Sequence, residues 1–453
     1  MLIAEKKKIV FESSHGYFDI DRQLKHTRLS QFPIASVSKT FTATAILQLN
    51  EKGRLQLDDL VIVYLPDFPY GDITIRHLLS NTSGLTDYYV MFDSLLKADS
   101  SRIITNKDII PAFIQQQIKT RFKPGERWDY NNLNFCVLAL IVEKITGQSF
   151  SDYLQQSIFL PAGMRDSYLP VDRRVRENTV ATLYGYRNTY TEQLENVDSL
   201  TAPFLSYTRS NFYGNGGIIS TTSDLYKFDQ ALYANKLLSK ESLDKAFTPA
   251  RLNSGAVAGY KLDDREVSYG LGWEIFTDTS MGKIVFHDGS IPGLTSILVR
   301  NLSRQQTIII LDNTGSSKIF ATSNAMVQLL NYQPYQQPGK SLARSYGSLL
   351  VKGLTSNAAS LLTNYLEHKN SYEASEREFI RMGYELLRSN QTSASLHTFE
   401  SATRLFPDSW NAFDSYGEAL MQSGKKQEAI DAYKKSLVLN PGNDHAKKAL
   451  EGL

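Results

Sequence analysis

A serine becomes a nucleophile only when a base lies within reach of its hydroxyl, another group steadies that base, and N–H donors await the oxyanion. Ser36-Val37-Ser38-Lys39 supplies the hydroxyl and the base. On a helix, residues three apart share a face, so the Lys39 amine reaches the Ser36 hydroxyl. A helix beginning at Ser36 also turns its free N–H groups and positive dipole end toward negative charge there. The spacing alone is weak, because Ser94, Ser242, Ser280 and Ser423 repeat it. Context separates Ser36. Pro33 precedes it, and the following Phe41–Leu49 stretch is uncharged and rich in Ala, Thr and Ile. A helix of that composition is expected to be buried, and burial lowers a lysine pKa by disfavouring the charged form. A neutral amine is what a general base requires.

Two further clusters qualify. Tyr130-Asn131-Asn132 follows the turn Lys123-Pro124-Gly125 and opens a long apolar run. Tyr130 is placed to relay a proton between Ser36 and a leaving group, and Asn132 to grip a substrate amide or carbonyl. The bland alternative is a turn tyrosine with Asn132 capping the helix. Tyr-x-Asn recurs at Tyr186, Tyr213 and Tyr233. His287-Asp288-Gly289-Ser290 ends an expected strand, Lys283 to Phe286. Strand alternation sets His287 and Gly289 on one face and Asp288 on the other. Gly289 lets a substrate lie against the strand edge, and the Ser290 N–H is expected to complete an oxyanion hole with that of Ser36. The remaining histidines read as packing or surface residues. Cys136, the only cysteine, sits in an apolar run and reads as a buried thiol, which excludes an internal disulfide.

The elements that must hold these residues are legible as patterns. Short β-type runs lie at Lys8–Glu12, Tyr17–Ile20, Leu271–Phe276, Lys283–His287, Thr295–Arg300 and Thr307–Leu311. Helical patterns lie between them at Lys39–Lys52, Asn134–Thr146 and Ser223–Leu232. Runs at both ends with helices between predict an α+β domain over 1–330, its antiparallel sheet built from both ends around a mostly helical insertion. A Pro/Gln-rich stretch at 331–345 reads as a linker, and 346–453 reads as all-helical. Pro407 and Pro441 stand 34 residues apart and bring Phe379, Gly383 and Phe399 into register with Phe413, Gly417 and Tyr433. That period resembles tetratricopeptide repeats. Leu342–Tyr372 is expected to add a degenerate helix pair, and Asp444–Leu453 a capping helix.

The order Ser-x-x-Lys, Tyr-x-Asn, His-x-Gly resembles the penicillin-recognising serine hydrolases of the class C β-lactamase, D-aminopeptidase and esterase group. Ile73-Thr74-Ile75-Arg76-His77-Leu78-Leu79-Ser80-Asn81-Thr82-Ser83-Gly84-Leu85 and Gly214-Asn215-Gly216-Gly217-Ile218-Ile219-Ser220-Thr221 agree with it. The resemblance spans about residues 3 to 315. It implies a β-lactamase/transpeptidase-like sheet with helices on both sides. It implies acylation of Ser36, with Lys39 and Tyr130 managing the proton and Asn132, His287, Gly289 and Ser290 serving substrate and oxyanion, and no metal or cofactor. Many β-lactamases of the group carry Lys where His287 stands, a fixed charge suited to a substrate carboxylate. A mostly neutral histidine favours esterase or peptidase activity over a dedicated β-lactamase. The family implies a periplasmic or cell-envelope location. The sequence as written shows neither a signal peptide nor the family's leading helix before the first strand.

Bulk properties narrow the rest. With 49 basic and 47 acidic residues, the net charge of +2 gives no reason to expect nucleic acid. No apolar stretch reaches the roughly 18 residues of a membrane span. The expected partners are a small-molecule or peptide substrate and, through the repeats, a protein. The competing reading is a hydrolase fold that has lost turnover and serves as a binding protein through its repeats. The loops around 86–120 and 185–212 are expected to shape the pocket and the acyl group it takes.

Overall fold

The computed structural model describes residues 1–87, 92, 103–170, 180–200, 211–262, 265–369 and 371–452. Ser94, and the loop portions 88–91, 93–102 and 201–210, lie outside the described residues.

The chain divides into two compact units, Met1–Tyr184 with Asn196–Tyr335, and Gly185–Glu195 with Gln336–Leu453. In the first, both ends of the sequence meet in one sheet. Its strands are β1 (Leu2–Glu5), β2 (Lys8–Glu12), β3 (Gly259–Leu262), β4 (Arg265–Tyr269), β5 (Glu274–Phe276), β6 (Ile284–Ile291), β7 (Leu294–Asn301) and β8 (Gln306–Asp312). They lie in the order β2-β1-β8-β7-β6-β5-β4-β3, each pairing antiparallel. The central strands are apolar on both faces because both are covered. Val285, Leu298 and Ile309 face the core containing α1 (Ser38–Glu51) and α2 (Asn132–Thr146). Their neighbours Phe286, Ile297, Val299 and Ile308 pack on the opposite side with Ile319 and Val327 of α3 (Ile319–Leu330).

Three departures from the expected strands have physical causes. Leu2–Glu5 is a strand although it is short and runs into three lysines, because β8 supplies its partners. Gly259–Leu262 and Arg265–Tyr269 form a polar edge hairpin without an apolar run to announce it. Among the described residues, Tyr17–Asp19 forms a two-stranded sheet with Leu24–Lys25 and stays outside the main sheet. β6 also runs on to Ile291, so His287 is internal to it rather than terminal.

The second unit is helical: α4 (Leu342–Val351), α5 (Thr355–His368), α6 (Glu376–Arg388), α7 (Thr392–Leu405), α8 (Trp410–Gln422), α9 (Lys426–Leu439) and α10 (Asp444–Glu451). α4 begins inside the stretch expected as linker, because the Ser341 hydroxyl caps it by accepting from the Arg344 N–H at 3.1 Å. The repeat glycines are contact points. A Cβ on Gly383 would lie 2.5–2.7 Å from the Phe399 ring, and one on Gly417 2.9 Å from that of Tyr433. A short mid-chain hairpin completes this unit, contrary to its expected place in 1–330. Its Tyr190 is buried among Leu342, Tyr346 and Met382. The Thr189 N–H and hydroxyl both donate to Glu385 at 2.7 Å, and the Arg344 guanidinium lies 3.5 Å from the Tyr186 ring centre.

Gly383→Ala forces a methyl into the Phe399 ring and should destabilise the helical unit by about 1–3 kcal/mol. Urea unfolding followed by circular dichroism would show its midpoint lowered, whereas Gly71→Ala, with no neighbour within 4 Å, should leave the curve in place.

Candidate active site

Ser36 stands in a single 3-10 turn, Ala35–Val37, that leads into α1. The helix therefore starts two residues later than a start at Ser36 would require. Ala35 takes a left-handed φ of 43°, a conformation that costs a non-glycine residue about 1–3 kcal/mol and recurs at functional sites. Every residue of α1 from Ser38 to Leu49 is buried, as its uncharged composition demands.

Lys39 is fully buried, and its Nζ meets three oxygens: Ser36 Oγ at 3.0 Å, Asn132 Oδ1 at 2.8 Å and the Asn215 carbonyl at 2.9 Å. Burial pulls the amine from 10.5 down to about 7, opposed only by weaker attraction to Cys136, Asp288, Asp87 and Glu274. The three contacts suit the neutral form. A neutral amine has two hydrogens and one lone pair. The two carbonyl-type oxygens can only accept, so they take the hydrogens and leave the lone pair to the Ser36 hydroxyl.

Each partner is placed by local structure. Asn131, not Asn132, caps α2, its Oδ1 accepting from the Leu133 N–H at 2.8 Å. Asn132 is thereby the first helical residue and free to turn toward Lys39. The Asn215 carbonyl is fixed by Gly214, whose φ of 90° and approach to the Phe135 carbonyl leave no room for a Cβ, and whose own carbonyl accepts from the Thr42 hydroxyl at 2.6 Å. The Tyr130 ring centre lies 4.7 Å from Lys39 Nζ, and its hydroxyl hydrogen-bonds Ser36. Burial raises that phenol well above its ordinary value, so Tyr130 stands as a phenol and not as a phenolate.

The last contributor is β6. It pairs with β7 to its end, but with β5 only as far as Phe286. Beyond that point a Cβ on Gly289 would lie 2.5 Å from the Ile34 carbonyl and 2.8 Å from the Ser36 nitrogen. The strand thus runs against the Ser36 turn where only glycine fits. Ser290, one residue on, is exposed.

Sequence comparison places the chain in a family. Residues 1–333 match the family model described as beta-lactamase, and 380–444 match that of the tetratricopeptide repeat. The chain belongs to the beta-lactamase family. A penicillin-binding protein of Bacillus subtilis (strain 168) is 36% identical over 341 residues, covering 75% of this chain and 73% of its own. The putative penicillin-binding protein PbpX of the same strain is 32% identical over 334 residues, covering 73% and 75%. Among solved structures, a penicillin-binding protein from Bacillus halodurans aligns with a TM-score of 0.59 at 27% identity, over 72% of this chain and 94% of its own. The D-amino acid amidase from Ochrobactrum anthropi SV3 shares the fold, with a TM-score of 0.59 at 22% identity over 73% and 91%. The family is one of serine hydrolases, and its fold here brings Ser36, Lys39, Tyr130, Asn132 and Gly289 together.

His287 departs from the expected substrate-facing role. It is 1% exposed, and both ring nitrogens are taken, Nδ1 by the Asp288 carbonyl at 2.6 Å and Nε2 by the Tyr269 hydroxyl at 3.2 Å. The carbonyl requires a hydrogen on Nδ1, so Nε2 accepts from Tyr269. Burial, helped by Lys39, lowers the imidazole to about 3, which makes it a neutral support behind the Tyr130 ring, 6.4 Å between centres. Glu274, His287 and Asp288 put ligand-type atoms within 4.8 Å of one another. With both imidazole nitrogens engaged, that trio does not fit a metal. Sequence reasoning passed over Asn215, Glu274 and Tyr269. The Asn215 contact is made by its backbone, which has no residue signature, although Gly214 beside it does mark a tight approach. The other two lie on short strands that carry no motif.

Two outcomes follow. kcat/KM should fall as pH drops through about 7, because protonated Lys39 has no lone pair for the Ser36 proton; a pH–rate profile whose acid limb lies at 5 or below would contradict this. Gly289→Ala should cost about a hundredfold in kcat/KM by pushing β6 off the Ser36 turn, with the protein still folded by circular dichroism.

Proposed function

We propose that this chain hydrolyses esters, small amides or D-amino-acid peptides through an acyl-enzyme on Ser36. The observation that carries the reading is a buried, nearly neutral Lys39 amine 3.0 Å from the Ser36 hydroxyl. In acylation Lys39 takes the Ser36 proton while Oγ bonds to the carbonyl carbon. The carbonyl oxygen takes the negative charge, and the Ser36 and Ser290 N–H groups serve as its donors. Collapse of the tetrahedral intermediate breaks the bond to the leaving group, which receives a proton from Tyr130. Tyr130 is reprotonated by Lys39, returning the amine to its neutral form. Water then repeats the sequence on the acyl-enzyme, giving its proton to the same pair. Asn132, whose Oδ1 is occupied by Lys39, offers its Nδ2 to a substrate carbonyl.

Neutral His287 gives no fixed positive charge for a substrate carboxylate, which favours esterase or peptidase activity over a dedicated β-lactamase. The penicillin-binding names of the relatives make a β-lactam a reasonable acyl donor, but a slow one. The tetratricopeptide match supports recruitment of a protein partner by the helical unit.

A fluorophosphonate probe should label the wild-type protein and fail on Ser36→Ala, and Lys39→Ala should lose about 10²–10⁴-fold in kcat/KM. No labelling of folded wild-type protein would instead support a binding protein without turnover. Nitrocefin turnover equal to that of a resistance enzyme would overturn the esterase or peptidase preference.

A further inference from the structure

Tyr130 has to keep its hydroxyl on Ser36, yet it stands on an irregular stretch, 127–131, that no helix or strand fixes until α2 opens at Asn132. The hold comes from a residue far upstream in sequence. Asn81 is fully buried and lies just past the short helix Ile75–Leu79. Its backbone carbonyl accepts from the Asp129 N–H at 2.9 Å, and its side-chain Oδ1 accepts from the Asn131 N–H at 3.2 Å. Those are the residues on either side of Tyr130, so one asparagine brackets it.

The bracket is itself fixed. Asn81 Oδ1 accepts a second bond, at 2.9 Å, from the Nδ2 of Asn134 on the first turn of α2, whose own Oδ1 takes the Ser83 hydroxyl at 2.6 Å. A backbone N–H can only donate, so the contact with Asn131 decides which end of the carboxamide points there. The other end, Nδ2, acts on the Tyr269 phenol, which burial raises and the Asn81 amide pulls back. Tyr269 donates to His287 Nε2 at 3.2 Å, and that imidazole lies behind the Tyr130 ring. Asn81 also holds a φ of 57°, a left-handed conformation that asparagine and glycine take at little cost. The nearby Arg121–Asp129 ion pair is a weaker hold, because both side chains stand partly in water.

We propose that Asn81 is a positioning residue for the proton step, holding Tyr130 where its hydroxyl reaches both Ser36 and a departing group. Asn81 itself touches neither the nucleophile nor the substrate. This rests on the hydrolase reading above and adds the residue that sets its general acid.

The test compares kcat/KM for phenyl acetate and p-nitrophenyl acetate, which form the same acetyl-enzyme. p-Nitrophenolate departs without a proton, whereas phenolate is helped by one, so a displaced general acid penalises the phenyl ester alone. Asn81→Gly keeps the left-handed backbone and the carbonyl but removes Oδ1. It should cost about tenfold or more on phenyl acetate and less than about threefold on p-nitrophenyl acetate. Tyr130→Phe should show the same dependence on the leaving group, and adding Asn81→Gly to it should cost little more, since the two act through one hydroxyl. Asn134→Ala, which frees the carboxamide from one of its donors, should give the same pattern in weaker form and serves where Asn81→Gly does not fold. Equal losses on both esters, or losses that multiply in the double variant, overturn the proposal and leave the hydrolase reading standing. Wild-type protein that turns over neither ester sinks the proposal, and if it also takes no fluorophosphonate it sinks the hydrolase reading as well.

Discussion

An amine taken out of water is the constraint that organises the catalytic unit. Lys39 cannot be buried cheaply as an ammonium, so the fold surrounds it with two acceptors and one hydroxyl, a set that a neutral amine satisfies in full. Each of the three is delivered by a different element: the turn before α1, the first residue of α2, and a glycine-rich segment whose geometry excludes a side chain at Gly214. The wholly buried length of α1 and the double-sided sheet behind it are what keep water away from that nitrogen.

How much of this could be read beforehand depends on whether the signal was local. The Ser36–Lys39 spacing and the uncharged helix behind it are local facts, and they match the 3.0 Å approach and the burial of α1; Gly289, expected to make room for a substrate, instead lies against the Ser36 turn. The 34-residue register was equally plain, since Gly383 and Gly417 must be small for Phe399 and Tyr433 to lie on them. What was hidden is relational. Leu2–Glu5 becomes a strand only because a partner from three hundred residues away lies beside it. The polar Arg265–Tyr269 strand depends on its hairpin mate in the same way. His287 was found as a motif, but its neutral, fully engaged state follows from Tyr269 and from a strand that extends past it.

The electrostatics of the cleft are correspondingly spare. The imidazole is neutral, the phenol is neutral, and Cys136 behind Lys39 is held as a thiol, its pKa pushed up to about 12 by burial.

The hairpin carrying Tyr190 bears on heredity as much as on shape. Gly185–Glu195 is encoded in the middle of the hydrolase yet completes the core of the repeats. A recombination event joining this hydrolase to another tail at residue 336 would leave a tyrosine without its slot, and the orphaned tail a slot without its tyrosine. Hydrolase and repeats are thus committed to inheritance as one piece, and variation in the tail around Leu342, Tyr346 and Met382 is expected to keep step with the stretch around Tyr190, encoded far upstream.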